Sequence, residues 1–260
     1  VRIALGVSYN GRAYQGWQSQ LSGQTVQDQL EKALSQLAAH PISTLCSGRT
    51  DAGVHALMQV AHFDTSAVRR EISWVRGTNA LLPRDISVEW AREVPAAFHC
   101  RANALSRRYA YVVFQSPVRP SVDHGRVGWV MTPLDLDRMR AGAQHLIGDH
   151  DFSSFRASQC QALSPVKQMR SITITQRGPY FRIEFEANAF LHHMIRNIMG
   201  CLIAVGAGKQ PADWVLEVLH ARERRRAAPT FSPDGLYFLG PRYDPQWGLP
   251  ERVAAYDGLP

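Results

Sequence analysis

The chain has 260 residues, 45% of them hydrophobic, enough for one large domain or two modest ones with full cores. It shows no apolar run long enough to span a bilayer and no charged-then-apolar leader, which points away from a membrane or secreted protein and toward the cytoplasm. The formal charge of +7 suggests an anionic partner, and the scattered Cys46, Cys100, Cys160 and Cys201, lacking any C-x-x-C pair, suggest free thiols rather than zinc or a redox dithiol. The start at Val1 suggests that a short N-terminal piece precedes the numbering.

In chain order, residues 2–9 alternate as a strand does, and a Gly/Tyr/Trp-rich loop follows. A helix is predicted over 25–38, with Val26, Leu30, Ala33, Leu34 and Leu37 on one face and Thr25 as its cap before Asp28. Short strands at 60–63 and 86–91 flank a helix at 72–81. Residues 108–114 form a strand with Tyr109, Tyr111 and Val113 on one face. Thr132 and Pro133 read as N-cap and first residue of a helix carrying Leu136, Met139, Ala143 and Leu146 on one side. Residues 171–176 and 180–187 alternate strictly, with Arg177-Gly178-Pro179 as the turn between them. A long helix is expected from about Phe190 to Val205, a shorter one at 212–219 and a strand at 236–239.

Similar β–α–β content in both parts predicts an α+β protein with mainly antiparallel sheets, divided near Ala104 into residues 1–103 and 104–260. A cleft between the halves is the default site.

Chemistry concentrates at Ser47-Gly48-Arg49-Thr50-Asp51-Ala52-Gly53-Val54-His55, where a carboxylate lies near an arginine with a glycine on either side of the pair. On spacing alone this is equally a surface turn. A second concentration is the 190–205 segment. At ~100° per residue, His192, His193, Arg196, Asn197 and Gly200 fall on one polar sector of an otherwise apolar helix. A cation there needs a partner, which the core itself can supply. Adjacent histidines on a helix diverge by ~100°, which disfavours a metal site. Gly206–Pro211 is not a phosphate-binding loop, because the glycine spacing and the hydroxyl residue after Lys209 are missing. The run Arg222-Glu223-Arg224-Arg225-Arg226 is either a solvated helix end or a contact to an RNA backbone.

Five segments in register resemble the tRNA pseudouridine synthases, and within them the bacterial A type. They are Tyr9-Asn10-Gly11 with Tyr14-Gln15-Gly16-Trp17-Gln18, the Gly48–His55 loop, Arg107-Arg108-Tyr109-Ala110-Tyr111, Asp151–Arg156 and Asn188–Asn197. Asn10 stands where the family usually has Asp, and the tail after Tyr243 matches nothing usable. The resemblance implies two pseudo-related α/β halves whose sheets meet in a central, RNA-binding catalytic cleft. It implies that Asp51 attacks the target nucleotide, detaches uracil and lets C5 rejoin C1′, in a reaction needing no metal, redox cofactor or ATP. Arg196 is implied to hold Asp51 ionised and aimed, Tyr109 to contact the uracil, and Arg49 to enter the space of the flipped nucleotide. The implied substrate is the tRNA anticodon stem-loop at positions 38 to 40, gripped by a homodimer.

His55 is expected to stabilise the loop by a hydrogen bond rather than to move protons, and Trp17, Tyr111 and Phe155 are expected to pack. A non-catalytic RNA-binding protein would not need Asp51, Tyr109 and Arg196 together, and a carboxylate hydrolase lacks a second acid near Asp51.

Overall fold

The structure of the protein, a computed structural model, describes residues 1–251. Its described residues resolve into two compact units, one holding Val1–Arg107 and residues 237–251, the other Arg108–Leu236. In chain order the elements are β1 (Arg2–Tyr9), α1 (Val26–Ala38), β2 (Leu45–Cys46), β3 (His55–Asp64), α2 (Glu71–Leu81) and β4 (Ile86–Val94). Then come β5 (Ser106–Gln115), β6 (Gly128–Val130), α3 (Leu136–Gln144), β7 (Gly148–Asp151), β8 (Val166–Arg177) and β9 (Tyr180–Ala187). The last elements are α4 (Met194–Gly206), α5 (Trp214–Ala221) and β10 (Leu236–Arg242). The class is α+β, and the strand pairs are mostly antiparallel.

In the first unit the strands run β4-β1-β3-β10, with β2 added to β3. β1 is antiparallel to both neighbours, and β10 joins β3 in parallel through Tyr237↔His55 and Phe238↔Ala56. α1 begins where expected: the Thr25 hydroxyl accepts the Asp28 amide at 3.2 Å. Its stripe of Val26, Leu30, Ala33 and Leu34 is buried, and α1 packs on α2, which rests on β4. A separate cluster joins Ala4, Met58, Val60, Trp90, Val94, Phe98 and Cys100 to Tyr243, with Trp247 and Leu249 packed against it. The segment after β10 therefore packs on first-unit residues, although the sequence offered no reading of it.

In the second unit the order is β5-β9-β8-β7, with β6 parallel to β5. The β8–β9 hairpin turns at Gly178-Pro179, pairing Arg177 with Tyr180. α3 packs on α4, α5 and β8. It is capped by Asp135 rather than Thr132: the Asp135 carboxylate accepts the Arg138 amide at 2.9 Å, while its own amide donates to the Gly206 carbonyl at 2.9 Å. Two candidate caps lie three residues apart, and the stronger one, with a tertiary anchor, starts the helix.

α4 begins at Met194, four residues later than expected. His193 is its N-cap in the left-handed region, φ +61°, which a helix cannot run through. His192 and His193 thus precede the helix, and their rings lie 4.1 Å apart; the divergence expected of helical neighbours does not apply to them. The apolar face of α4, including Ile195, Ile198, Met199, Leu202 and Val205, is buried and contributes about 1.5–3 kcal/mol per large side chain.

Candidate active site

Main-chain contacts tie the Asp51 loop to the Tyr9–Trp17 segment. The Trp17 amide donates to the Thr50 carbonyl at 3.1 Å, and the Gly53 amide to the Tyr14 carbonyl at 3.4 Å. Within the loop the Val54 amide donates to the Asp51 carbonyl at 3.1 Å, and Gly53 turns the chain at φ +80°. Gly11 and Gly16 allow this approach. A Cβ on Gly11 would collide with the Val54 carbonyl, and one on Gly16 would lie 2.7 Å from the Thr50 oxygen. The Tyr9–Trp17 segment and the Asp51 loop are thus one device, with the first lying as a cradle beneath the second.

Side chains brace the cradle. Tyr9 and Thr50 share a hydroxyl hydrogen bond at 2.7 Å, and burial pushes the Tyr9 phenol up, so it stays neutral. Gln59, fully buried on β3, accepts from the Ser47 hydroxyl at 2.7 Å and donates to the Gly48 carbonyl at 2.6 Å. The Arg107 guanidinium donates to the Ser47 and Arg101 carbonyls at 3.3 and 2.6 Å. Tyr14 donates to the Asp85 carboxylate at 2.5 Å. Asn10 accepts the Arg12 amide at 3.1 Å and so caps the short 3₁₀ turn Gly11–Ala13, a task Asn performs as well as the family's Asp.

His55 does what was expected of it: its Nδ1 accepts the Gly11 amide at 3.1 Å, and its ring stacks on Tyr237 at 4.7 Å. Trp17, Tyr111 and Phe155 are core residues, fully buried. On this frame Asp51 is half-buried and Arg49 is exposed. The backbone on both sides of the Asp51 carboxylate is thus held by hydrogen bonds.

The second unit holds Tyr109 and Arg196. Tyr109 is 8% exposed and meets Phe190 edge-on at 5.1 Å, so the Arg107–Tyr111 and Asn188–Asn197 segments touch through two aromatic rings. Phe190 had no separate signal in the sequence. Arg196 has its Nε–H committed to the Phe231 carbonyl at 2.9 Å, and the Phe231 amide donates back to the Arg196 carbonyl at 3.1 Å. The basic run divides. Arg225 is exposed and pairs with Glu223 at 2.6 Å, Arg222 lies 3.5 Å from Asp151, and Arg226 is exposed. Arg224 instead turns inward onto Asn197, Thr230 and Ala228. All four cysteines are free.

A family model described as tRNA pseudouridine synthase matches residues 6–102 and 143–244, which include the Asp51 loop and Arg196. The chain belongs to that family. Similar relatives are the tRNA pseudouridine synthases A of Albidiferax ferrireducens, 70% identical over 260 residues, and of Polaromonas naphthalenivorans, 69% identical over 264 residues. That of Paracidovorax citrulli is 66% identical over 278 residues, and all three alignments cover 100% of both chains. The tRNA pseudouridine synthase family consists of isomerases that convert uridine to pseudouridine in tRNA, and this chain is such an enzyme. Residues 103–142, with Tyr109, fall outside the family match but inside the full-length relatives. Among the described residues no helix is long and apolar enough to cross a membrane.

Proposed function

We propose that the protein isomerises uridines of the tRNA anticodon stem-loop, at positions 38 to 40, with Asp51 as nucleophile. The observation that carries this reading is the half-buried Asp51 on a loop fixed by the Tyr9–Trp17 cradle, within the stretch that matches the family. Asp51 attacks the extruded nucleotide and the bond between N1 and C1′ breaks. The uracil turns, C5 bonds to C1′, the bond to Asp51 breaks and frees the carboxylate, the C5 proton leaves and N1 gains one, so the composition is unchanged. Arg196, its Nε–H held by the Phe231 carbonyl, supplies the positive charge that pairs with Asp51 and aims it. Tyr109, braced by Phe190, contacts the uracil, and the exposed Arg49 occupies the space the nucleotide leaves. In this reading the enzyme works in the cytoplasm as a homodimer on one tRNA, and no cofactor is required.

The test is to incubate unmodified tRNA with the protein and map pseudouridine at nucleotide resolution. Modification confined to positions 38 to 40, abolished in folded Asp51→Asn with tRNA affinity within about threefold of wild type, is the expected result. Product elsewhere overturns the substrate assignment, and product from Asp51→Asn removes Asp51 from the chemistry.

A further inference from the structure

The segment 228–231 runs along α4 in the opposite direction, touching it residue by residue. The Ala228 amide donates to the Cys201 sulfur at 3.3 Å. The Pro229 carbonyl lies where a side chain on Gly200 would stand. The Thr230 hydroxyl donates to the Asn197 Oδ1 at 2.6 Å, and Phe231 exchanges its amide and carbonyl with Arg196. This strap ends on the one cation of α4, and its final contact is with the guanidinium itself.

Arg224 fastens the strap. One of its terminal nitrogens donates to the Ala228 carbonyl at 3.0 Å, the other to both the Asn197 Oδ1 and the Thr230 hydroxyl at 3.0 Å. Asn197 is fully buried and donates in turn to the Phe155 carbonyl at 2.8 Å. Arg224 therefore ties both edges of the strap–helix seam, at Ala228 and Thr230 of the strap and at Asn197, the residue after Arg196. A guanidinium is a rigid planar fork, so fixing Nε on the Phe231 carbonyl fixes the direction of the two remaining nitrogens.

We propose that Arg224 is a positioning residue for the isomerisation: through Thr230, Asn197 and the Phe231 carbonyl it sets the aim of the Arg196 guanidinium. The inference rests on the reading that Arg196 serves Asp51. It removes Arg224 from the candidate RNA contacts in the basic run.

Arg224→Ala is expected to slow single-turnover pseudouridine formation by about 10- to 100-fold, the scale of a misaimed catalytic group, with tRNA Kd within about twofold. In the Arg196→Met background the same substitution is expected to add less than about threefold, because the group it aims is gone. Methylguanidinium is expected to restore part of the Arg224→Ala rate and none of the Arg196→Met rate. A folded Arg224→Ala enzyme with the wild-type rate overturns the inference. So does one whose loss lies in tRNA affinity, or whose slowing persists in full beside Arg196→Met. If Arg224→Ala does not fold, Thr230→Val carries the test: slowing that vanishes beside Arg196→Met supports the strap, and an unchanged rate overturns it. Should Arg196→Met itself retain the wild-type rate, the role given to Arg196 fails, and the strap inference fails with it for that separate reason.

Discussion

In the first unit main chain holds main chain: the carbonyls of Thr50 and Tyr14 meet the amides of Trp17 and Gly53, and Gly11 keeps the space open. In the second unit Arg196 is held by a strap whose fastening is a set of polar side chains, Arg224, Asn197 and Thr230. Both arrangements need a missing side chain, at Gly11 and Gly16 in the first and at Gly200 in the second, but the second also rests on a network of three polar side chains around the cation it holds. Addition of an atom therefore breaks either one, and deletion of a group breaks the second as well.

Adding one carbon to the first arrangement is the most damaging change. Gly11→Ala forces the cradle off the Asp51 loop, because the new Cβ meets the Val54 carbonyl, which is backbone and cannot rotate aside. A stability loss of about 1–3 kcal/mol and a rate loss of about 100-fold are expected. Gly23→Ala is the control. Its φ is +66° and nothing lies within 4 Å of the new carbon, so it costs roughly 1–2 kcal/mol of backbone strain with no change in rate. Denaturant melts and single-turnover rates of both variants check this, and equal rate losses would show that the cradle does not aim the loop.

A smaller effect is expected from the outward arginines. Arg225→Gln with Arg226→Gln leaves the strap intact and is expected to leave the rate at saturating tRNA unchanged. The slope of log Kd against log salt is expected to fall by about 1–2, as when one or two phosphate contacts are lost. An unchanged slope assigns these two residues to a solvated helix end.

The smallest effect is one of pH and belongs to the first unit. Burial, then the charge of Arg2, then His99, hold the His62 imidazole down to about 4, and its Nδ1 accepts the Cys100 amide at 3.4 Å. His62 stays neutral when folded but binds a proton near its ordinary pKa when unfolded. Its contribution is complete above about 6.5 and is lost as pH falls toward 4. Melts at pH 7 and pH 4.5 are expected to differ by less in His62→Gln than in wild type, and an equal difference would exclude His62 as the source.

Regular elements with local signals were legible in the sequence: β1 and β9 from alternation, α1 from its stripe and Thr25 cap. β2, β6 and β7 are two to four residues long and exist because a neighbour offers a hydrogen-bonding edge, which no local pattern records. The late start of α4 escaped because helical periodicity in 190–193 resembles a continuation of the helix, while the turn at His193 comes from tertiary context. At the site, the Gly-Arg-Thr-Asp run was legible through family resemblance. Gln59, by contrast, lay outside the short strand expected at 60–63, and its grip on Ser47 and Gly48 appears only once the longer β3 is folded. The arginine run displayed charge but not direction, so the inward turn of Arg224 could not be read from it.

The parallel pairing of β10 with the first residues of β3 has a consequence for biosynthesis. As the chain leaves the ribosome, the edge of β3 at His55 and Ala56, next to the Asp51 loop, waits for Tyr237 and Phe238. The first unit emerges early yet is completed only after the whole second unit has been translated. The nascent chain thus carries an open strand edge and an unstacked His55, beside the loop bearing Asp51, for most of its synthesis.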